Sequence, residues 1–192
     1  MEKTTVAEHT VLNEIKTRKS NRAYSEKPVE QEKINSIIEA ARWAPSSMND
    51  QPWRYLVVTK DNLELYQAVF ETLADFNKTW VKDAPVLVIS LVRKNFTYNG
   101  VPNRHALYDT GAANSLLCVQ ASALGLNAHQ MGGFDYEKLK NLLNLPQDMD
   151  IAVVIAIGYP DSPDKLSEEL KKREIAPRER YTVHELIRTT GF

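Results

Sequence analysis

Four stretches of this chain carry side chains suited to holding a charged or flat ligand. The first is Arg18-Lys19-Ser20-Asn21-Arg22, three cations with a hydroxyl, placed directly after a short apolar-periodic segment. Charge-assisted hydrogen bonds from such a set to a phosphate contribute roughly 1.5–3 kcal/mol each. Basic residues after a helix also complement its dipole, which is the competing reading. The second stretch holds Arg178 and Arg180. In an extended segment residues two apart point the same way and can clamp one anion; a solvated charge run is the alternative. The third is Gly132-Gly133, which either lets backbone N–H groups approach a planar ligand or makes a tight turn. The fourth is Pro45-Ser46-Ser47-Met48-Asn49-Asp50-Gln51-Pro52-Trp53. Each proline fixes φ and removes a donor, so the segment is neither helix nor central strand. Ser46, Ser47, Asn49 and Gln51 make it either a capped turn or a surface that offers donors and acceptors.

Other chemistries lack their signatures. There is no G-x-G-x-x-G fingerprint and no Walker A loop. His9, His105, His129 and His184 are scattered without metal-ligand spacing, so no metal site is expected. No G-x-S-x-G elbow is present, and Cys118 sits in the apolar run Ser115-Leu116-Leu117-Cys118-Val119 without a base nearby, so no catalytic nucleophile is expected. Lys and Arg number 24 against 25 Asp and Glu, a net charge of -1 that gives no general attraction for nucleic acid or acidic membranes. A single cysteine allows no intrachain disulfide, which suits a reducing compartment. Met1-Glu2-Lys3-Thr4-Thr5 lacks the apolar core of a signal peptide, and no stretch is long and apolar enough to span a bilayer. The expected location is cytoplasmic.

The elements that must position these residues follow from periodicity. A length of 192 residues favours one domain. Glu8 to Thr17 reads as a short amphipathic helix with Val11, Leu12 and Ile15 on one face. The next helix opens at Pro28, carries Ile34, Ile37, Ile38 and Ala41 at helical spacing, and stops at Ala44 before Pro45. Arg54–Thr59 reads as a strand interior to a sheet. Asp61 and Glu64 cap a helix predicted to run through Leu65, Val69, Leu73 and Phe76. A buried strand spans 85–92, and a loop from Arg93 to Asn103 with Phe96 and Tyr98 is long enough to be a lid. A helix over 105–124, apolar on much of its circumference, is a core or subunit-interface element closed by Gly125. A short strand over 126–131, a helix capped by Asp135 and a strand over 151–157 follow. Residues 160–192 read as a C-terminal arm with no core pattern of its own.

Together these segments resemble the FMN-dependent nitroreductase family. The resemblance rests on Arg18-Lys19-Ser20-Asn21-Arg22-Ala23-Tyr24 and on Glu39-Ala40-Ala41-Arg42-Trp43-Ala44 running into the Pro45–Trp53 motif. Ala84-Pro85, Gly125-Leu126 and Gly132-Gly133-Phe134-Asp135 add to it, and it spans about Ile15 to Ile187. It implies an α+β fold, an α-β-α sandwich around a mixed, largely antiparallel sheet, built as an intertwined homodimer with FMN at the subunit interface. By that resemblance Arg18, Lys19 and Ser20 hold the phosphate and ribityl chain, with Arg178 and Arg180 also on the phosphate. Arg22 stands beside flavin N1 and O2, and Asn77 reads the pyrimidine edge. Gln130, Met131, Gly132 and Gly133 lie against the ring, while Pro45, Ser46, Ser47 and Asn49 reach it from the partner subunit. Gly132 stands where some members carry glutamate. Trp80 stands where some carry lysine, and would form an aromatic wall. The implied activity is electron transfer from NADH or NADPH to a small-molecule acceptor such as a nitroaromatic or quinone, by ping-pong kinetics. Alternatives on the same fold are reductive dehalogenation, flavin oxidation or non-catalytic FMN binding.

Overall fold

The computed structural model describes residues 3–191. Met1 and Glu2, part of the stretch read above for targeting, and Phe192 lie outside them. In chain order the first half holds β1 (Lys3–Thr4), α1 (Asn13–Thr17), α2 (Gln31–Arg42), β2 (Trp53–Thr59), α3 (Leu63–Phe70), α4 (Asp75–Val81) and β3 (Val86–Arg93). The second half holds α5 (Ala106–Ala123), β4 (Asn127–Met131), α6 (Tyr136–Leu142), β5 (Met149–Gly158), α7 (Glu168–Ile175), β6 (Arg180–Tyr181) and α8 (Val183–Leu186).

The main sheet has the order β2-β3-β5-β4, with every pairing antiparallel. Alternation along the strands gives it two apolar faces. Val86, Val88, Ile155 and Ile157 pack under α2 and α5 with Ile34, Ile37, Leu117 and Ala121. Leu87, Ile89, Val154 and Ala156 pack on the other side with Tyr66, Val69, Trp80 and Leu139. Helices therefore cover both faces, and the α-β-α sandwich expected from the sequence is what forms. Between Ser90 and Leu91 the register with β5 shifts. The extra residue there, a β-bulge, re-aims the side chains that follow it.

Several boundaries differ from the sequence reading, each for a physical reason. β2 is an edge strand, not an interior one. Its apolar character comes from cover on both faces, Val58 against one cluster and Tyr55 with Val57 against the other. The helix expected over Leu65 to Phe76 is two helices. Thr72, fully buried, donates its hydroxyl to the Val69 carbonyl at 2.6 Å, and the Ala74 N–H leaves the helix to meet the Gly133 carbonyl at 3.0 Å. The cap of α3 is Asn62, whose side chain accepts from the Leu65 N–H at 3.2 Å, rather than Asp61. α1 is only five residues long, and Val11, Leu12 and Ile15 are exposed, so their spacing marks no core in this chain. Pro28 precedes α2 instead of opening it. The C-terminal arm has more order than its composition suggests: Leu170 of α7 is buried, and β6 pairs antiparallel with β1.

α5 sets the scale of the molecule. At 1.5 Å per residue its 18 residues span about 27 Å. Gly125, at φ +73°, closes it in the left-handed region that glycine enters without strain. Ala113, Leu117 and Ala121 are buried, while Leu107, Tyr108 and Leu116 leave the opposite side exposed. Among the described residues no helix is long and apolar enough to cross a membrane.

Candidate functional site

Arg18, Lys19, Ser20 and Arg22 line a cleft of about 310 Å³ together with Arg178 and Arg180 from the C-terminal arm. α1 ends at Arg18, where the chain turns extended and runs along the cleft wall. The Arg178 guanidinium donates to the backbone carbonyls of Lys16 and Arg18, which ties the arm to this segment. From α7, the Glu174 carboxylate accepts the backbone N–H of Arg22 at 3.0 Å and of Ala23 at 3.3 Å. A larger space of about 670 Å³ between the N-terminal arm and β6 shares Arg18, Lys19, Arg178 and Arg180 and so continues the same basic surface.

The electrostatics of the cleft are unbalanced. Among the described residues, none of Arg18, Lys19, Arg22, Arg178 or Arg180 lies within ion-pair distance of a carboxylate, although nine carboxylate–cation pairs form, one of them Arg173–Glu169 at the same cleft. Burial, followed by repulsion from Arg180 and Arg18, holds Arg178 below the usual arginine range. Among the described residues, the buried Arg22 Nε has no hydrogen-bond partner. Uncompensated positive charge of this kind is stabilised by an anion.

Beneath Arg22 lies a stack of rings. Its guanidinium carbon is 5.9 Å from the Trp80 ring centre, His129 is 4.5 Å from Trp80, and Tyr24 stacks on Trp80 at 6.2 Å. Trp80 is 1% exposed, so it supports the surface from below and is not the aromatic wall expected from the sequence. His129 Nδ1 lies 3.0 Å from the Asn21 carbonyl, a contact that requires the proton on Nδ1. Burial above all lowers its pKa from 6.5 to about 4, and the nearby Arg22 and Arg18 push the same way. The unfolded chain therefore takes up a proton that the folded one refuses. Stability is full above about pH 6.5 and falls by about 3 kcal/mol as the pH drops through 4. In denaturant unfolding across that range, His129→Gln should lose most of this slope; an unchanged slope would assign the effect to other groups.

The segment Gln130-Met131-Gly132-Gly133 forms the outer edge of the sheet and its exit. Met131 is buried, so its side chain is not available to a ligand. Gln130 donates its amide to Cys118 Sγ at 3.3 Å. Asn77, placed by the start of α4, donates to the Gly133 carbonyl at 2.9 Å. A Cβ at Gly133 would lie 2.9 Å from the Asn77 amide nitrogen, closer than real contacts allow, while Gly132 faces open space. The glycine pair is thus a close approach at one residue and an uncovered backbone at the other.

The Pro45–Trp53 loop lies elsewhere. Ser47–Asn49 form a tight turn, with Met48, Asn49 and Gln51 at φ of 55°, 53° and 50°. Three non-glycine residues in this region cost energy, which clusters at functional sites. The Ser46 hydroxyl accepts the Gln51 N–H at 3.0 Å, and Asp109 in the first turn of α5 accepts the Ser47 N–H at 3.0 Å. Asp50 accepts from the Thr97 N–H at 2.8 Å and from its hydroxyl, latching the Phe96–Tyr98 loop to the motif. That loop closes on itself, with Phe96 N–H to the Val101 carbonyl at 2.8 Å and the two aromatic rings 5.3 Å apart. The basic cleft sits at the far end of α5, where Asn21 donates to Asn127 at 3.3 Å just beyond Gly125. Pro45, Ser46, Ser47 and Asn49 therefore do not line their own chain's cleft.

The sequence pattern of the Nitroreductase family matches residues 15–78 and 67–159. The chain belongs to the nitroreductase family. It is 31% identical over 159 residues to a Methanothermobacter thermautotrophicus protein provisionally named NADH dehydrogenase/NAD(P)H nitroreductase, covering 81% of this chain and 80% of that one. It is 28% identical to the iodotyrosine deiodinase of Thermotoga neapolitana, over 77% of this chain and 87% of the other. A crystal structure of an oxidoreductase containing FMN superimposes with a TM-score of 0.90 at 31% identity, covering 97% of this chain and 96% of its own.

Within this nitroreductase-family frame, Glu174, Asp109 and Asp50 are candidate-site residues that sequence reasoning missed, each holding the backbone of a segment described above. All three are acids that accept backbone N–H groups. Asp50 alone lies within a stretch singled out from the sequence, the Pro45–Trp53 segment.

Proposed function

We propose that this protein is an FMN-dependent oxidoreductase that takes electrons from NADH or NADPH and passes them to a small acceptor, such as a nitroaromatic or quinone, by a ping-pong mechanism. The observation that carries this reading is the cleft in which unpaired Arg18, Lys19, Arg22, Arg178 and Arg180 converge with Ser20. A phosphate dianion matches that charge, and the orphan Arg22 Nε and the open Gly132 backbone offer contacts to the rest of the cofactor. The volume of about 310 Å³ is at the low end for ligand pockets, about 300–1,000 Å³. A second wall from another protomer completes it.

Bound there, FMN supplies the transfer of electrons from nicotinamide to acceptor; the protein supplies orientation and charge. Arg18, Lys19, Ser20, Arg178 and Arg180 anchor the phosphate end. Arg22 contributes a fixed cation in a partly dry site, where a preorganised charge counts for more than in water. Asn77 presents polar atoms beside Gly133, and Gln130 to Gly133 give a flat backbone edge. Ser46, Ser47 and Asn49 serve the cofactor of the neighbouring subunit, because in one chain the length of α5 separates them from the cleft. The Phe96–Tyr98 loop, latched to Asp50, travels with that contribution and flanks the partner's acceptor space. A second reading, reductive dehalogenation, is favoured by the likeness to the iodotyrosine deiodinase.

The test begins with the visible spectrum of the purified protein, which should show bound flavin, and with NAD(P)H oxidation in the presence of menadione or a nitroarene. A colourless protein that takes up no added FMN sinks the proposal. Turnover of iodotyrosine but of neither other acceptor selects the second reading.

A further inference from the structure

We propose that Trp80, braced by His129 and Tyr24, is a positioning residue that seats the Arg22 guanidinium and thereby sets how much more tightly the protein holds reduced FMN than oxidised FMN. The inference rests on the reading that FMN occupies the cleft, and extends it to a side chain that touches no ligand.

Arg22 has no carboxylate within ion-pair distance among the described residues, and its Nε has no hydrogen-bond partner. Its backbone, in contrast, is fixed, because Glu174 accepts the N–H groups on either side of the Arg22 Cα. What remains to place the guanidinium is the Trp80 ring, 5.9 Å from its central carbon. Indole is the ring that attracts a cation most strongly, and it does so more when the pair is desolvated. Trp80 is itself held by its faces and not by its edge. Its buried Nε1 has no partner among the described residues, whereas a buried indole N–H ordinarily finds one. His129 at 4.5 Å and Tyr24 at 6.2 Å fix the ring plane. Their own polar atoms are anchored, His129 to the Asn21 carbonyl at 3.0 Å and the Tyr24 hydroxyl to the Ala156 carbonyl at 3.1 Å. The platform is therefore rigid and the cation on it is not otherwise tied. Reduction adds negative charge to the cofactor, so a cation in a fixed place favours the reduced form. Loss of the platform lets the guanidinium move into water, where its charge is screened.

The experiment measures the midpoint potential of bound FMN, and the Kd of oxidised FMN, in the wild type, W80F, W80L, R22M and the R22M/W80L double variant, with thermal unfolding recorded for each. R22M should weaken reduced FMN about tenfold relative to oxidised FMN, a shift of about 30 mV to more negative potential for a two-electron couple. W80L should approach that shift, W80F should fall between it and the wild type, and the double variant should move no further than R22M alone. If W80L does not fold, W80F carries the test through an R22M/W80F double variant measured alongside, in which its smaller shift should disappear. A destabilised W80L with wild-type potential, or shifts of W80 and R22 variants that simply add, would overturn the inference while leaving the proposed function in place. A wild type that binds no FMN overturns both.

Discussion

Arg178→Ala is expected to weaken FMN binding by about 30- to 100-fold while changing the unfolding midpoint little. One charge-assisted hydrogen bond to phosphate contributes about 2 kcal/mol or somewhat more, which at 1.4 kcal/mol per decade gives the lower figure. The rest comes from the arm, because the same guanidinium bonds the Lys16 and Arg18 carbonyls and so holds Arg180 and Pro177 against the cleft. Arg178→Lys keeps the charge but not the planar fork, and should recover only part of the loss. Arg173 is the internal control. It lines the same cleft but is already paired with Glu169 at 2.7 Å, so Arg173→Ala should bind FMN within a few fold of wild type. Titration of apoprotein with FMN at two salt concentrations checks this. Equal affinities for the Arg178 and Arg173 variants would show that unpaired charge is not what the cleft offers.

How much of this site is legible in the sequence depends on what kind of residue one asks about. Arg18, Lys19, Arg22, Arg178 and Arg180 announce themselves by type and spacing. Glu179 lies between the last two, but that acid turns to Lys3 and leaves the arginines unpaired among the described residues. Buried helices and strands are legible for the same reason that they form: Ile34, Ile37 and Ala41 recur at 3.6-residue spacing, and alternate residues of β3 and β5 fill two different clusters. Glu174 and Asp109 are illegible because their roles are to cap N–H groups 152 and 62 positions away. The break between α3 and α4 was hidden by an apolar pattern that continues across it. Contacts between distant segments decide it, the Gly133 carbonyl accepting the Ala74 N–H and the Asp135 N–H donating to the Thr72 carbonyl. Trp80 shows the converse. Its position beside the candidate cleft was implied by the family resemblance, but its depth is set by Tyr24 and His129, which no local pattern joins.

The exposed side of α5 bears on the other half of the site. Leu107 and Tyr108 are 62% and 81% exposed, on a helix that is apolar nearly all round, and Val11, Leu12, Leu186 and Ile187 are exposed on the arms. Exposed apolar residues on one helix face are what an association buries, and the proposed second protomer would cover them there. A two-fold partner seated there presents to each chain the same loop that each chain presents to it.

That symmetry predicts complementation. Arg178→Ala damages the cleft half of a site; Asp109→Leu removes the acceptor that holds the Ser47 N–H and so frees the loop half. Asp109 is 5% exposed and has no cation within ion-pair distance among the described residues, so an apolar residue of similar size removes the acceptor without stranding a partner charge. Each homodimer should bind FMN poorly. In a heterodimer of the two variants, isolated through different tags, one site collects both defects and the other collects neither. It should therefore carry about half the wild-type FMN, bound with wild-type affinity. If loop and cleft served the same chain's cofactor, every site in the heterodimer would keep one defect and no tight FMN would appear. The two outcomes differ by the presence or absence of a full-affinity site. The measurement therefore decides the subunit origin of Ser46, Ser47 and Asn49 without a ligand-bound structure.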